Sequence, residues 1–366
     1  MKRKNKIIVA MSGGIDSSVA AALLKKASFD IIGVFMKFWS EKEIGKNSHN
    51  KCCSPESEKR ARFVAKILNI PFYVFNFEKE FKEKIVNYFI KGYESGITPN
   101  ACVVCNKEIK FGLLLEKALN LGVNYIATGH YARTNFDLLN HLKNEKVKDI
   151  RLKLFKGKDK FKDQSYFLWM LNQEQLKRVI FPVGNYTKIK VREIAKKFKL
   201  PFSNVIESMD ICFIPNSVKD FLKKYITTEP GKIYLKDGSF LGTHEGLAFY
   251  TIGQRRGINI AGGPYYVLEK DIKNNALIVT KDEKDLYKKS LSLKNVNWIS
   301  GENPKNPINI KAKIRYHHQS EEGIIEYDLK LKTYILKFKI PQRAITPGQS
   351  AVFYKGSELI GGGIIH

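Results

Sequence analysis

The chain has 366 residues, with 63 Lys and Arg against 36 Asp and Glu, for a formal net charge of +27. This length predicts two or three domains. No apolar run approaches the ~20 residues of a membrane-spanning helix, and five cysteines in so long a chain do not form a secreted disulfide framework. The charge points to a polyanionic partner. The plainer alternative is that 52 lysines against 11 arginines only coat the surface.

In chain order, Lys2-Arg3-Lys4 precedes only five apolar residues, Ile7 to Met11, too few for a signal-peptide core. That run reads as a buried strand. Asp16 to Lys26 places Val19, Ala20, Leu23 and Leu24 on one helical face. Strands are expected at Ile31–Met36, Phe72–Phe77 and Val123–Thr128. Helices are expected at Ser57–Leu68, Glu78–Tyr93, Glu108–Leu121, Gln173–Ile180 and Lys188–Phe198. The alternation predicts a doubly wound parallel α/β sheet. After about residue 214, one short helix (Ser217–Tyr225) gives way to strand-like runs at Lys232–Leu235, Phe249–Ile252, Tyr265–Leu268 and Ala276–Thr280. Longer alternating runs follow at Ile308–Tyr316, Gly323–Leu331, Lys332–Ile340 and Ser350–Tyr354. They predict a small, mostly-β domain and then a β-barrel. The expected domains are 1–214, 215–285 and 286–366. Asn140–Asp149 reads as a polar insertion.

Between the first strand and helix stands Ser12-Gly13-Gly14-Ile15-Asp16-Ser17-Ser18. Two glycines allow a tight turn and a close approach of backbone to ligand. The helix start beyond offers unpaired N–H groups and a positive dipole end, which suit a phosphate. The spacing is neither a Walker loop nor a dinucleotide fingerprint. An ordinary serine-capped turn is the plain alternative.

The cysteines lie at Cys52-Cys53, at Cys102 and Cys105, and at Cys212. Cys102-Val103-Val104-Cys105 alone is ambiguous. Zinc needs four ligands, which adjacent Cys52 and Cys53 complete poorly, and Cys102, Cys105 and Cys212 together leave an iron–sulfur cluster open. Cys105 is expected at a helix start with Lys107 and Lys110 nearby, a setting that favours the thiolate. A buried inert thiol is the plain reading of each cysteine. His317-His318 could suggest a metal, but adjacent side chains on a strand face opposite ways, so this pair and Arg255-Arg256 read as surface pairs or contacts to the polyanion.

The glycine loop resembles the SGGxDS pyrophosphate loop of the N-type ATP pyrophosphatases. It is joined, in order, by Thr98-Pro99-Asn100 through Cys105-Asn106-Lys107-Glu108-Ile109-Lys110-Phe111, Ala127-Thr128-Gly129-His130-Tyr131-Ala132-Arg133, Lys162-Asp163-Gln164-Ser165-Tyr166-Phe167-Leu168, Ile211-Cys212-Phe213-Ile214, Phe249 through Gly257, and Thr346-Pro347-Gly348-Gln349. Together these strings are similar, essentially end to end, to the bacterial tRNA-specific 2-thiouridylase family. The resemblance implies an adenine nucleotide alpha hydrolase-like (PP-loop ATP pyrophosphatase) domain, a small central domain and a C-terminal β-barrel that binds tRNA.

It also implies ATP-dependent replacement of the C2 oxygen of a wobble uridine by sulfur, with Mg²⁺ accompanying ATP. By that resemblance Cys212 carries a persulfide, and Cys105 is the partner nucleophile that can pair with it as a disulfide. Ala10, Met11, Ser12, Gly13, Gly14, Ile15, Asp16, Ser17, Met36 and Gly129 correspond to nucleotide contacts. Asn100, Ala101 and Cys102 correspond to the segment touching the target base. His130, Lys162, Asp163, Gln164, Arg315, Tyr316 and Gln349 correspond to tRNA contacts. The implied partners are the tRNA anticodon loop and a sulfur donor protein (a cysteine desulfurase or relay protein). The chain is expected to act in the cytoplasm as a monomer, without a membrane or a resident metal. One departure stands out. The family usually has Asn-Pro-Asp where this chain has Asn100-Ala101-Cys102, which leaves the role of Cys102 open. Two other functions stay in view: a small-molecule ligase with the same loop, and a tRNA-binding protein without activity.

Overall fold

The computed structural model describes residues 6–41, 54–135, 151–201, 211–305 and 307–366. Cys52, Cys53 and the polar stretch 140–149 lie outside the described residues. The first sheet has the order β3-β2-β1-β4-β7, all parallel, from β1 (Lys6–Ala10), β2 (Asp30–Lys37), β3 (Phe72–Asn76), β4 (Tyr125–Ala127) and β7 (Val179–Ile180). The chain turns one way from β1 to β2 and the other way to β4, so β1 flanks the switch point at which such sheets bind ligands.

The helix after β1, Ile15–Lys26, buries eight of its residues, including Val19, Ala20, Ala21 and Ala22. Its small side chains let it lie close to the sheet. The helix Pro55–Ile67 starts on a Ser54 hydroxyl that accepts from the Ser57 N–H at 3.2 Å, with proline at its first position.

Three segments depart from the sequence expectation. The expected helix Gln173–Ile180 stops at Leu176, and Val179–Ile180 forms β7 against β4. Two β-branched, buried residues gain more on the sheet than in a helix turn. The helix expected from Glu108 starts at Ala101 and runs to Asn120, because the Asn100 carboxamide oxygen accepts from Val103 N–H and caps it. Its middle, Asn106–Leu113, is π-helical, as is Lys82–Val86 within helix 78–94. Finally, Phe249–Ile252 is not a strand. A 3₁₀ turn over Leu247–Phe249 leads into a tight loop in which Gly253 has φ +83° and donates its N–H to Val267 at 2.8 Å.

The central sheet, order β10-β11-β8-β9, comprises β8 (Gly231–Leu235), β9 (Phe240–His244), β10 (Tyr266–Asp271) and β11 (Ala276–Thr280). The C-terminal strands β12 (Tyr287–Trp298), β13 (Ile308–Lys313), β14 (Glu321–Asp328), β15 (Thr333–Arg343), β16 (Ser350–Lys355) and β17 (Glu358–Ile365) run β12-β15-β14-β13-β16-β17. Antiparallel pairing of β12 with β17 closes them into a six-stranded barrel. Leu293, Leu336, Ala351 and Phe353 fill its interior.

The barrel also reaches into the first domain. Leu359 and Glu358 of β17 pair with Leu154 and Phe155 of β6 (Leu154–Lys156), which pairs in turn with β5 (Ala132–Thr134). One sheet therefore passes from the nucleotide-type domain into the barrel. Among the described residues no helix is long and apolar enough to cross a membrane.

Beneath this shared sheet, Gly184 lies so close to β5 that an added Cβ would sit 1.7 Å from the Ala132 carbonyl oxygen. The backbone would have to move to admit it, so Gly184→Ala is expected to cost about 1–3 kcal/mol or more, read as a lowered urea midpoint with an unchanged slope.

Candidate functional site

The glycine loop leaves the carboxyl end of β1, where Met11 N–H still donates to Val34 at 2.8 Å. Gly13 has φ +73°, and a Cβ there would lie 2.2 Å from the Ser57 carbonyl oxygen. Glycine is thus required twice over, by conformation and by contact. Gly14 caps the following helix and has no side chain to fill the cap itself. The first-turn N–H groups beyond it are left for a ligand, as a polyphosphate requires.

Ser17 folds inward. Its Oγ accepts from Ser12 N–H at 3.2 Å and donates to Gly14 O at 3.0 Å, while Ser18 Oγ donates to Gly14 O at 2.8 Å. Ala10, Met11 and Ile15 are buried beneath the loop, Ser12 is exposed and Met36 is half-buried at the far end of β2. Gly129 follows β4 and presses on the same helix start, with a hypothetical Cβ 2.6 Å from Ser17 N.

Asp16 points into a cluster that sequence reasoning missed. The Lys188 ammonium donates to both carboxylate oxygens, at 2.7 and 2.9 Å, and Tyr131 OH donates to one at 2.7 Å. Lys188 is buried, so this contact ties helix Lys188–Lys197 to the loop. Arg60 braces the other side, with Nε donating to Gly13 O at 3.1 Å and Nη2 to Ser57 Oγ at 2.7 Å. A basic residue inside an amphipathic helix face was the sole sign of Lys188 in the sequence.

His130 is buried, with Nδ1 2.8 Å from Thr128 Oγ1 and its ring against Phe111 and Phe181. Burial first, and the Lys110 charge second, hold it well below the usual histidine range. It therefore remains a neutral imidazole.

The cysteines occupy distinct settings. Ala101 is buried, Cys102 is exposed in the first helical turn, and Cys105 is buried one turn further on. The helix-start argument applied to Cys105 thus moves to Cys102, since the dipole acts mainly within the first turn. Asn106 is buried and donates to Phe167 O at 3.1 Å, while its Oδ1 has no hydrogen-bond partner among the described residues. Half-buried Cys212 sits in a turn closed by Ile214 N–H to Ile211 O at 3.1 Å. Buried Phe213 anchors that turn between Phe81, Phe89 and Phe221. Among the described residues, no group of three His, Cys, Asp or Glu side chains is placed to hold a metal ion, Cys102, Cys105 and Cys212 included.

Thr98, just before the Asn100 cap, binds the other two regions. Its N–H donates to Pro347 O at 2.9 Å, its carbonyl accepts from Gln349 Nε2 at 2.9 Å, and its hydroxyl lies 3.2 Å from that of Thr251. Arg315 Nη2 donates to Ile252 O, Ala344 O and Thr346 Oγ1 at 3.2, 3.0 and 2.7 Å. Tyr316 packs on Phe167 with the rings tilted by 43° and their centroids 4.5 Å apart. Gln164 clasps Tyr131, its side-chain oxygen accepting Tyr131 N–H at 3.0 Å. Asp163 is buried and accepts from Gly157 N–H, Ser165 N–H and Ser165 Oγ, while Lys162 is half-buried at the rim. The structure therefore brings together Asn100, Tyr166, Arg315, Tyr316 and Gln349 at the meeting of three regions. Arg255 and Arg256 are exposed.

Three family models match the chain: a tRNA methyl transferase HUP domain over residues 5–216, a tRNA methyl transferase PRC-barrel domain over 219–281 and an aminomethyltransferase beta-barrel domain over 288–365. The chain is 47% identical over 370 residues to a protein named tRNA-specific 2-thiouridylase MnmA 2 from Thermoanaerobacter sp. (strain X514), spanning 100% of this chain and 99% of that one. Proteins named tRNA-specific 2-thiouridylase MnmA are 42% identical in Clostridium perfringens (strain 13 / Type A), over 99% of this chain and 98% of that one, and 41% identical in Geobacillus thermodenitrificans (strain NG80-2), over 99% and 95%.

Two outcomes follow from the geometry. Lys188→Met leaves the Asp16 carboxylate short of its cation. Because that side chain keeps 30% of its surface in solvent, the destabilisation is expected at or below the lower end of the ~3–5 kcal/mol for a broken buried pair, measured by urea unfolding. Buried His130 resists protonation while the unfolded chain takes up a proton near pH 6.5, so stability falls as the pH drops below about 6.5. His130→Gln is expected to flatten that part of the stability profile between pH 7 and 5.

Proposed function

The chain belongs to the tRNA-specific 2-thiouridylase family, and from that premise we propose that it replaces the C2 oxygen of the wobble uridine of tRNA by sulfur, using ATP. The single observation that carries the reading is the glycine-loop cradle. A helix start without a side-chain cap lies behind a Gly13 that only glycine can fill, in a chain at least 41% identical to relatives of that name along its whole length.

ATP is the substrate that supplies an adenylyl group, turning a poor leaving group, the uridine oxygen, into AMP. The loop's N–H groups from Ile15 to Ser17 would hold the phosphates, with pyrophosphate released there. Met36 and Gly129 flank the nucleoside end. Mg²⁺ would arrive with the nucleotide and screen its phosphate charge. The target base would be turned outward from the anticodon loop towards the Asn100–Cys102 helix start. Neutral His130 cannot serve there as a cation, and its part is to hold Thr128 and Phe111 in place beside the loop.

The outer sulfur of a persulfide on Cys212 would attack C2 while AMP leaves with the former oxygen. The Cys105 thiolate would then attack Cys212 Sγ, breaking the S–S bond to the new thiocarbonyl sulfur. This releases 2-thiouridine and leaves a Cys105–Cys212 disulfide, which a thiol reductant must reduce. The Phe213 anchor suits such a sequence because it fixes one end of a turn that has to present its sulfur. Cys102, exposed in the first helical turn, would take the aspartate's place in acid–base work. A sulfur donor protein would reload Cys212, and the chain would act as a cytoplasmic monomer.

Purified protein, unmodified tRNA, ATP and a persulfide source are expected to yield 2-thiouridine on mass spectrometry of the digested nucleosides. Cys212→Ser is expected to give none. Cys105→Ser is expected to lose turnover yet keep tRNA affinity, and Cys102→Asp to retain activity while Cys102→Ala falls about 10²-fold or more. Full activity in Cys212→Ser would overturn the sulfur route. Thiolation absent from the wild-type protein would favour a ligase acting on a small molecule.

A further inference from the structure

Between β6 and the Lys162-Asp163-Gln164 segment, the chain reads Lys156-Gly157-Lys158-Asp159-Lys160-Phe161-Lys162. Phe161 is 94% exposed, more than any other large apolar side chain among the described residues. Single exposed hydrophobics are common and by themselves mean little. What sets this one apart is how firmly its loop is held.

Asp163 Oδ1 accepts Gly157 N–H at 2.9 Å and closes the loop at its base. Lys158 N–H donates to Gly184 O at 2.9 Å. Asp159 Oδ1 accepts both Phe161 N–H, at 3.0 Å, and Lys162 N–H, at 3.1 Å, while its Oδ2 accepts Lys188 N–H at 2.8 Å. Burial works against the Asp159 charge, but those N–H donors and Lys162 outweigh it and keep the carboxylate ionised below the usual range. The ring is thus held out into solvent by a turn tied to the same Lys188 that grips Asp16 of the glycine loop.

The surroundings are cationic. Lys158 and Lys160 are exposed on either side of the turn. At its foot, Lys156 Nζ lies 4.2 Å from the centre of the Tyr354 ring, and Lys313 of the barrel donates to Tyr316 O at 3.1 Å. Burial lowers the pKa of both ammonium groups. The Asp163 carboxylate opposes that in each, and Lys313 and Lys311 push Lys156 down further. A strip of positive charge with one aromatic ring standing out of it matches a nucleic acid strand: phosphates along the lysines, a base on the ring.

We propose that Phe161 is a stacking platform for an unpaired base of the bound tRNA, with Lys158 and Lys160 contacting the phosphates on either side. This rests on the tRNA reading above and adds to it a contact outside the residues matched by family resemblance. The pre-formed turn means that little ordering is lost on binding.

The test is the affinity of the full chain for a wobble-uridine tRNA, measured by fluorescence anisotropy across a salt series. Phe161→Ala is expected to weaken binding about 5- to 150-fold, the range one base–aromatic stack commands, with the salt slope unchanged. Phe161→Trp is expected to hold affinity, and its added emission to be quenched when tRNA binds. Lys158→Gln and Lys160→Gln are each expected to lower the salt slope by about 0.7, one single-strand phosphate apiece. The ring is solvent-exposed, so a purely structural role would move none of these readouts.

Phe161→Ala within twofold of the wild type, or Phe161→Leu binding as tightly as Phe161→Trp, would overturn the proposal. Unchanged tRNA affinity with slower sulfur delivery from a donor protein would overturn it in favour of a protein contact. If the wild-type chain binds and thiolates tRNA while Phe161→Ala does both equally well, this inference alone falls. If the wild-type chain binds no tRNA, the functional reading falls with it.

Discussion

The geometry of the site hangs on Thr98. Every polar atom of this one residue is engaged across a domain boundary: N–H and C=O with the barrel at Pro347 and Gln349, hydroxyl with the central region at Thr251. Two residues later Asn100 caps the helix that carries Cys102 and Cys105. The position of that helix start relative to the barrel is therefore set by one main-chain bond to Pro347 and a side-chain bond from Gln349, with the Thr251 hydroxyl holding it to the central region. Gly348, with φ +90° and a hypothetical Cβ 2.9 Å from the Thr98 carbonyl, lets the barrel come that close. Arg315 repeats the arrangement from the other direction, one guanidinium nitrogen satisfying carbonyls of both the central loop and the barrel.

Much of the fold was legible because its periodicity is strong. The runs Ile7–Met11 and Ile31–Met36 are apolar throughout, and the structure places them as central parallel strands, while β13 and β14 of the barrel alternate along their length. The misreadings have local physical causes. Val179 and Ile180 extend a helical pattern by two residues that tertiary pairing recruits to the sheet. The helix at Ala101 begins on an asparagine cap seven residues before the apolar periodicity becomes evident. The π-helical stretches carry no compositional sign at all.

The candidate site divides in the same way. The glycine loop and the cysteine strings could be seen because each is a short contiguous motif. The Asp16–Lys188 contact could not, because its partners are 172 residues apart and no motif marks Lys188. Charge shows a similar split. Many surface lysines are spent on neighbouring carboxylates, such as Lys190 on Glu193 and Lys339 on Glu322. Such pairs add little to stability and account for part of a lysine-rich composition without reference to any ligand. Lys158 and Lys160 flank Asp159, whose carboxylate already accepts three backbone N–H groups.

The shared sheet has a consequence for how the protein comes into being. Strand β6 ends at Lys156, but its neighbour β17 begins at Glu358, about 200 residues later. At a synthesis rate of about 5–20 residues per second, that edge waits roughly 10–40 s for its partner. Through that interval the ribosome-bound chain shows an unpaired strand edge, the kind of surface that recruits stray strands. Leu154 and Phe155 lie on that edge. Beside them stands the lysine-rich turn from Gly157 to Lys162, whose like charges repel other chains until the last strand arrives to close the sheet.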